Sequence, residues 1–226
     1  MAGLIREIVN KTKELFESLI SKAQAIINSI EHWIKRIKRH NAYIGEIEES
    51  SATYEPEEVD VKLAEELKQS LDTIAPNGLV NYMQTMSPEE RISFIEKDIL
   101  PLIASKMSID YDRLEWVEND GRLCGYYNHT QKVIALNIAF IANDNEKLLT
   151  VLLNTIIHEC KHARQWTAIE GTNFGYSQQQ IDEWKRNFED YISPNESDEG
   201  YYKQPVEVDA KGFADSIIDE NVIFEN

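Results

Sequence analysis

Cysteine is almost missing from this sequence. Cys124 and Cys160 are the only two among 226 residues, too few for a disulfide framework, so an apolar core must hold the fold, and a reducing compartment is the natural setting. Nine glycines and six prolines exclude collagenous and low-complexity classes. No stretch reaches the ~18 uninterrupted apolar residues of a membrane span. The start of the chain meets Arg6 and Glu7 before any secretory apolar run develops. A soluble, cytoplasmic protein is therefore expected. Positive charge is also short. Twenty-three Lys and Arg face 40 Asp and Glu, a net charge of −17, and that field repels a phosphate backbone, so no nucleic-acid partner is expected.

The positive charge that exists is concentrated at one end. Residues 1–45 carry a net charge of +4, which leaves −21 on the remainder. Apolar residues repeat there every eleven positions, Leu4, Leu15, Ile26 and Ile37 on one row and Ile8, Leu19 and Ile30 on the next. Eleven residues make three turns at about 3.67 residues per turn, which predicts a long helical arm with a straight apolar stripe. Such a stripe suits a protein partner or self-association, while its bases fit the chain's own acidic body. Residues 46–60 lose the period and are crowded with acids around Ser50 and Ser51, which reads as an acidic linker. The body is then 61–226.

Within the body, helices are expected over 61–74 and from Ser87-Pro88-Glu89-Glu90 to residue 100 or, across Pro101, to 106. Residues 113–118 and 122–127 read as a hairpin around Asn119-Asp120-Gly121, and 132–141 as a third strand. Helices follow over 146–169, 177–191 and 205–219, the middle one a surface element. The fold class is α+β: mainly helical, with a small three-stranded antiparallel sheet.

The helix from residue 146 contains His158-Glu159-Cys160-Lys161-His162, an H-E-x-x-H pattern that arises by chance in about one chain of this composition in a hundred. Residues four apart lie on one helix face, so both imidazoles can bind one Zn²⁺. Glu159 lies about 100° round, where it can act as general base without being a ligand. The preceding turns are apolar nearly all round, so the helix is central and its polar residues need a purpose. A catalytic zinc takes a third protein ligand. Glu170, eight residues on, cannot bend back about 12 Å, which favours the last helix. At 100° per residue, Val206, Ala210, Phe213 and Ile217 define its buried stripe, flanked on one side by Glu207 and on the other by Asp209. Glu207 shares its flank with Ala214 and is the better ligand. Asp209 stays as the alternative, or as a group behind the ligands, on a flank that reads as solvent-facing.

His158-Glu159-x-x-His162, preceded by Val133-Ile134-Ala135-Leu136-Asn137 and followed by Glu207-x-x-Ala210-x-x-Phe213-Ala214, resembles the minimal gluzincin domain of ImmA/IrrE-type metallopeptidases over roughly residues 120–220. The resemblance implies a zincin core with Zn²⁺ as cofactor, His158, His162 and Glu207 as its ligands, Glu159 as the base, and a peptide or protein substrate. It also implies that the strand at 132–137 is the sheet edge along which the substrate pairs, with Asn137 in contact. The Leu-Met-Pro tail usual in that family is replaced by Ser216-Ile217-Ile218. An aspzincin pattern fails, because Phe174 stands where its Asp would be. Tyr201 and Tyr202 could donate to an oxyanion, Gln165 could meet substrate or cap a polar network, Cys160 is expected to pack in the core, and His129 reads as a solvated histidine in a turn rather than a transition-state donor. The rival reading is a metal-containing protein-binding module, or an inactive peptidase-like protein.

Overall fold

A computed structural model describes residues 50, 53–118, 124–142 and 144–218, with scattered positions between 11 and 49. The chain divides into two units, residues 1–49 and 50–226. Every described residue of the first unit is helical, as the arm predicts. The Leu4/Leu15/Ile26/Ile37 and Ile8/Leu19/Ile30 rows lie outside the described residues.

The second unit opens earlier than the linker reading placed it. Helix α1 spans Glu58–Ile74, Asp60 is buried, and Tyr54 packs on the core, so the acidic stretch is partly structural. Gly78, at φ 92°, closes the turn after α1 with its N–H on the Ala75 carbonyl; positive φ suits a residue without Cβ. A short helix, α2 (Leu79–Gln84), follows. Ser87 and Glu90 form a capping box at the start of α3 (Pro88–Phe94). The chain then passes through a π-helical turn, Ile95–Ile99, into α4 (Leu100–Met107). The helical path thus crosses Pro101. The wider turn before it makes room where the proline ring would clash and its missing N–H would leave a carbonyl unpaired.

The three expected strands are present as β1 (Arg113–Val117), β2 (Gly125–Asn128) and β3 (Val133–Asn137), but the sheet is mixed rather than antiparallel. Its order is β1-β3-β2. β3 pairs parallel to β1, with Arg113 opposite Val133, and antiparallel to β2, with Gly125 opposite Leu136. β1 and β2 therefore form no hairpin with each other, and the Asp120-Gly121 turn lies outside the described residues. Burial explains the order. β3 is buried at all five positions, a pattern that belongs in the middle of a sheet, whereas β1 and β2 are half-exposed and take the edges. Instead of extending to 141, β3 ends in a 3₁₀ turn, Ile138–Phe140, capped by the Asn137 side chain accepting from the Ala139 N–H.

Helix α5 (Glu146–Ile169), N-capped by Asn145, runs through the centre. Its apolar first half packs into a core with Leu67, Met83, Ile99, Ile103, Ile134, Leu136 and Phe213. α6 (Gln178–Glu189) is not purely a surface element, since Trp184 and Asn187 are fully buried. α7 (Asp198–Lys203) precedes α8 (Pro205–Asp215), which lies against α5. Ala210 and Ala214 are fully buried there and allow the close approach. No helix among the described residues is long and apolar enough to cross a membrane.

Candidate metal centre

The second half of α5 carries both imidazoles, and α8 brings Glu207 to them. His158 Nε2 lies 3.0 Å from His162 Nε2 and 3.1 Å from Glu207 Oε2, while His162 Nε2 is 3.3 Å from Glu207 Oε1. Ligands about 2.0–2.1 Å from a tetrahedral zinc stand about 3.3 Å from one another. The two imidazole nitrogens and the Glu207 carboxylate, which meets each histidine with a different oxygen, are near that spacing and could hold such an ion. Among the described residues this is the cluster of His, Cys, Asp and Glu whose donor atoms could hold a metal.

The electrostatics follow from burial. Burial opposes charge on Glu207, but the two histidines outweigh it and hold its carboxyl well below the usual range. Burial would lower His162 too; Glu207, Glu159 and Gln165 reverse that and push it up to about 9. Glu159 is 6% exposed, and burial pushes its carboxyl up despite the neighbouring histidines and the backbone N–H of Tyr127. A carboxylate raised in this way is a better proton acceptor than an exposed one.

A cleft of about 460 Å³ opens beside Glu159, His162 and Glu207, walled by Tyr127 of β2, Trp166, Phe188, Tyr191 and Tyr201. Trp166, one turn beyond His162, is stacked between His129 at 4.0 Å and Phe188 at 4.5 Å. The Tyr191 hydroxyl donates to Glu207 Oε1 at 2.6 Å, and Tyr201 also hydrogen-bonds Glu207. Burial and that carboxylate push both phenols upward, so they remain donors.

The residues singled out in the sequence fare differently. Glu159, His162, Glu207 and Tyr201 line the cleft, and His158 joins His162 and Glu207 in the cluster at its side. Tyr202 is 65% exposed and does not line it. Asn137 is fully buried and occupied as the 3₁₀ cap, because β3 is the central strand and not an edge. The edge beside Glu159 is β2. Glu170 pairs with His129 and is not part of the His158, His162 and Glu207 cluster. Cys160 is fully buried in the core. Asp209 lies outside the His158, His162 and Glu207 cluster and does not face solvent, although Ser216 farther along its flank is exposed: it accepts from Gln165 and pairs with Lys161, and a Cβ on Gly212 would lie 2.1 Å from Tyr54, so that segment covers the helix there. Tyr191 and Phe188 went unnoticed in the sequence, where nothing marks a loop and a helix end as near the motif. Trp166 was legible in principle, four residues past His162 on the same helix face.

No protein-family model, curated protein or solved structure matches the chain.

Proposed function

We propose that this protein is a zinc-dependent peptidase with a minimal gluzincin core of the ImmA/IrrE kind. The observation that carries this reading is the convergence of His158, His162 and Glu207, whose imidazole nitrogens lie 3.0 Å apart and each meet one oxygen of the same carboxylate at 3.1 and 3.3 Å, with the buried carboxylate of Glu159 beside them on a peptide-sized cleft. Zinc held by those three residues would polarise a carbonyl and make water nucleophilic near neutral pH. Glu159 takes the proton from the attacking water and returns it to the leaving amine. Tyr191 and Tyr201 fix the Glu207 carboxylate through their hydroxyls. The substrate backbone pairs with β2, one edge of which is taken by β3 and whose Gly125, Tyr126 and Tyr127 line the cleft. Gly125 suits that strand, because a Cβ there would meet the Ala135 carbonyl at 2.7 Å.

The test is Glu159→Gln with an unstructured polypeptide as substrate. The amide keeps the shape and removes the base, so metal content should be unchanged while hydrolysis falls by about three orders of magnitude or more. Hydrolysis equal to the parent protein's rejects Glu159 as base. A fully zinc-loaded parent that cleaves nothing favours a protein-binding module.

A further inference from the structure

Behind the three ligands lies a buried polar chain that the reaction itself does not use. Gln165 is fully buried, so it touches no substrate. Its Nε2 donates to the Val206 carbonyl at 3.0 Å and to Asp209 Oδ2 at 2.7 Å. Its Oε1 lies 2.8 Å from His162 Nδ1. The orientation of this amide is set by its neighbours. A carbonyl can only accept, so the nitrogen end must face Val206, and a flip would put oxygen against oxygen. With Oε1 turned to His162, Nδ1 must be the donor.

We propose that Gln165 is a positioning residue of the metal site: it fixes the His162 ring with Nδ1 as the donor to the amide Oε1 and Nε2 turned toward His158 and Glu207, and ties that ring to the backbone one residue before Glu207. This rests on the zinc-site reading. A single side chain thereby sets the geometry of two ligands that come from different helices. Its support is anchored in turn. Lys161, fully buried, lies 3.3 Å from Asp209 and 2.7 Å from Asp60. The Tyr176 hydroxyl donates to Asp60 at 2.6 Å and accepts from Lys161 and from Arg164 Nε. Two acids and two bases balance there, and Asp209 is held as an acceptor for Gln165. This accounts for a lysine inside the H-E-x-x-H motif on a face with no access to solvent. A histidine's far nitrogen, hydrogen-bonded to a fixed acceptor, keeps the tautomer and ring angle that a metal needs, and loss of such a partner commonly weakens metal binding 10–100-fold.

The experiment uses the full chain stripped of metal, with zinc affinity read by competition against a chromophoric chelator and ligand geometry by the visible spectrum of the cobalt-loaded protein. Gln165→Met keeps the volume and removes both ends of the amide. We expect it to bind zinc about 10–100-fold more weakly and to change the cobalt bands. Asp209→Asn, which leaves the Val206 carbonyl in place, should lose less than Gln165→Met, and it decides the question alone if the methionine variant does not fold. Parental zinc affinity and cobalt spectrum in the folded variants overturn the proposal, even if the metal-free protein melts lower, since that pattern marks a structural role only. A parent protein that takes up neither metal overturns the metal-site reading, and the proposal with it.

Discussion

Metal uptake should be strongly pH-dependent, and the structure gives the size of the effect. In the metal-free protein the Glu207 carboxylate, with Glu159 and Gln165, outweighs burial and raises His162 to about 9. At pH 7 this imidazole is therefore protonated, and zinc must displace one proton to reach Nε2. The apparent affinity scales with the neutral fraction, which rises about 20-fold between pH 7 and pH 8.5 for a group of that pKa. Glu207, held well below the usual carboxylate range, adds nothing to the slope in this window. Calorimetric titration at pH 7, repeated in buffers of different ionisation enthalpy, should report release of about one proton per zinc from this group. The same shift affects folding. A histidine whose folded-state pKa is raised stabilises the metal-free protein fully below its unfolded value of about 6.5, and that contribution is lost as the pH rises through about 9. Zinc should therefore protect against melting more at pH 8.5 than at pH 7. A flat affinity across this range with no proton released would refute the coupling between His162 and Glu207.

Three further outcomes follow from particular contacts. Lys161→Met leaves the carboxylates of Asp60 and Asp209 buried without their cation, a loss of about 3–5 kcal/mol; thermal melting should fall by about 10 °C, and a change of only a degree or two would mean the ion network is not formed. Tyr191→Phe removes a 2.6 Å bond to the charged Glu207 and should weaken zinc binding by about 10–150-fold, at about 1.5–3 kcal/mol for a hydrogen bond to a charged group; unchanged affinity would show that Tyr201 alone holds the carboxylate. Cys160 is fully buried and burial pushes its thiol well above the ordinary value, so in native protein it should resist alkylation while the unfolded chain reacts at once; fast native labelling of Cys160, read by peptide mass, would contradict its place in the core.

Local sequence determined the elements that carry the chemistry. The spacing of His158, Glu159 and His162 fixes their common helix face by geometry alone, and the apolar turns before them mark α5 as central. The angular argument places Glu207 and Asp209 on opposite flanks of one short helix, and Glu207 does face the two histidines, but Asp209 is buried where that argument expected solvent. Ser87, Pro88 and Glu90 announce their helix start through contacts within four residues. What the sequence could not decide was everything set by which element lies beside which. The alternating and turn-forming residues at 113–127 suggest a hairpin, yet the all-apolar β3 gains more by burial between two neighbours and separates β1 from β2. That insertion moved the edge strand from β3 to β2 and turned Asn137 from a substrate contact into a buried cap. Asp60, Lys161 and Asp209 are separated by 101 and 48 residues, so no periodicity links them, and a buried lysine looks like a solvated one until its partners arrive. The same holds for Tyr191, sixteen residues before Glu207: only the chain reversal through α7 and into α8 brings its hydroxyl to that carboxylate, because donor and acceptor share no element whose geometry a pattern could reveal.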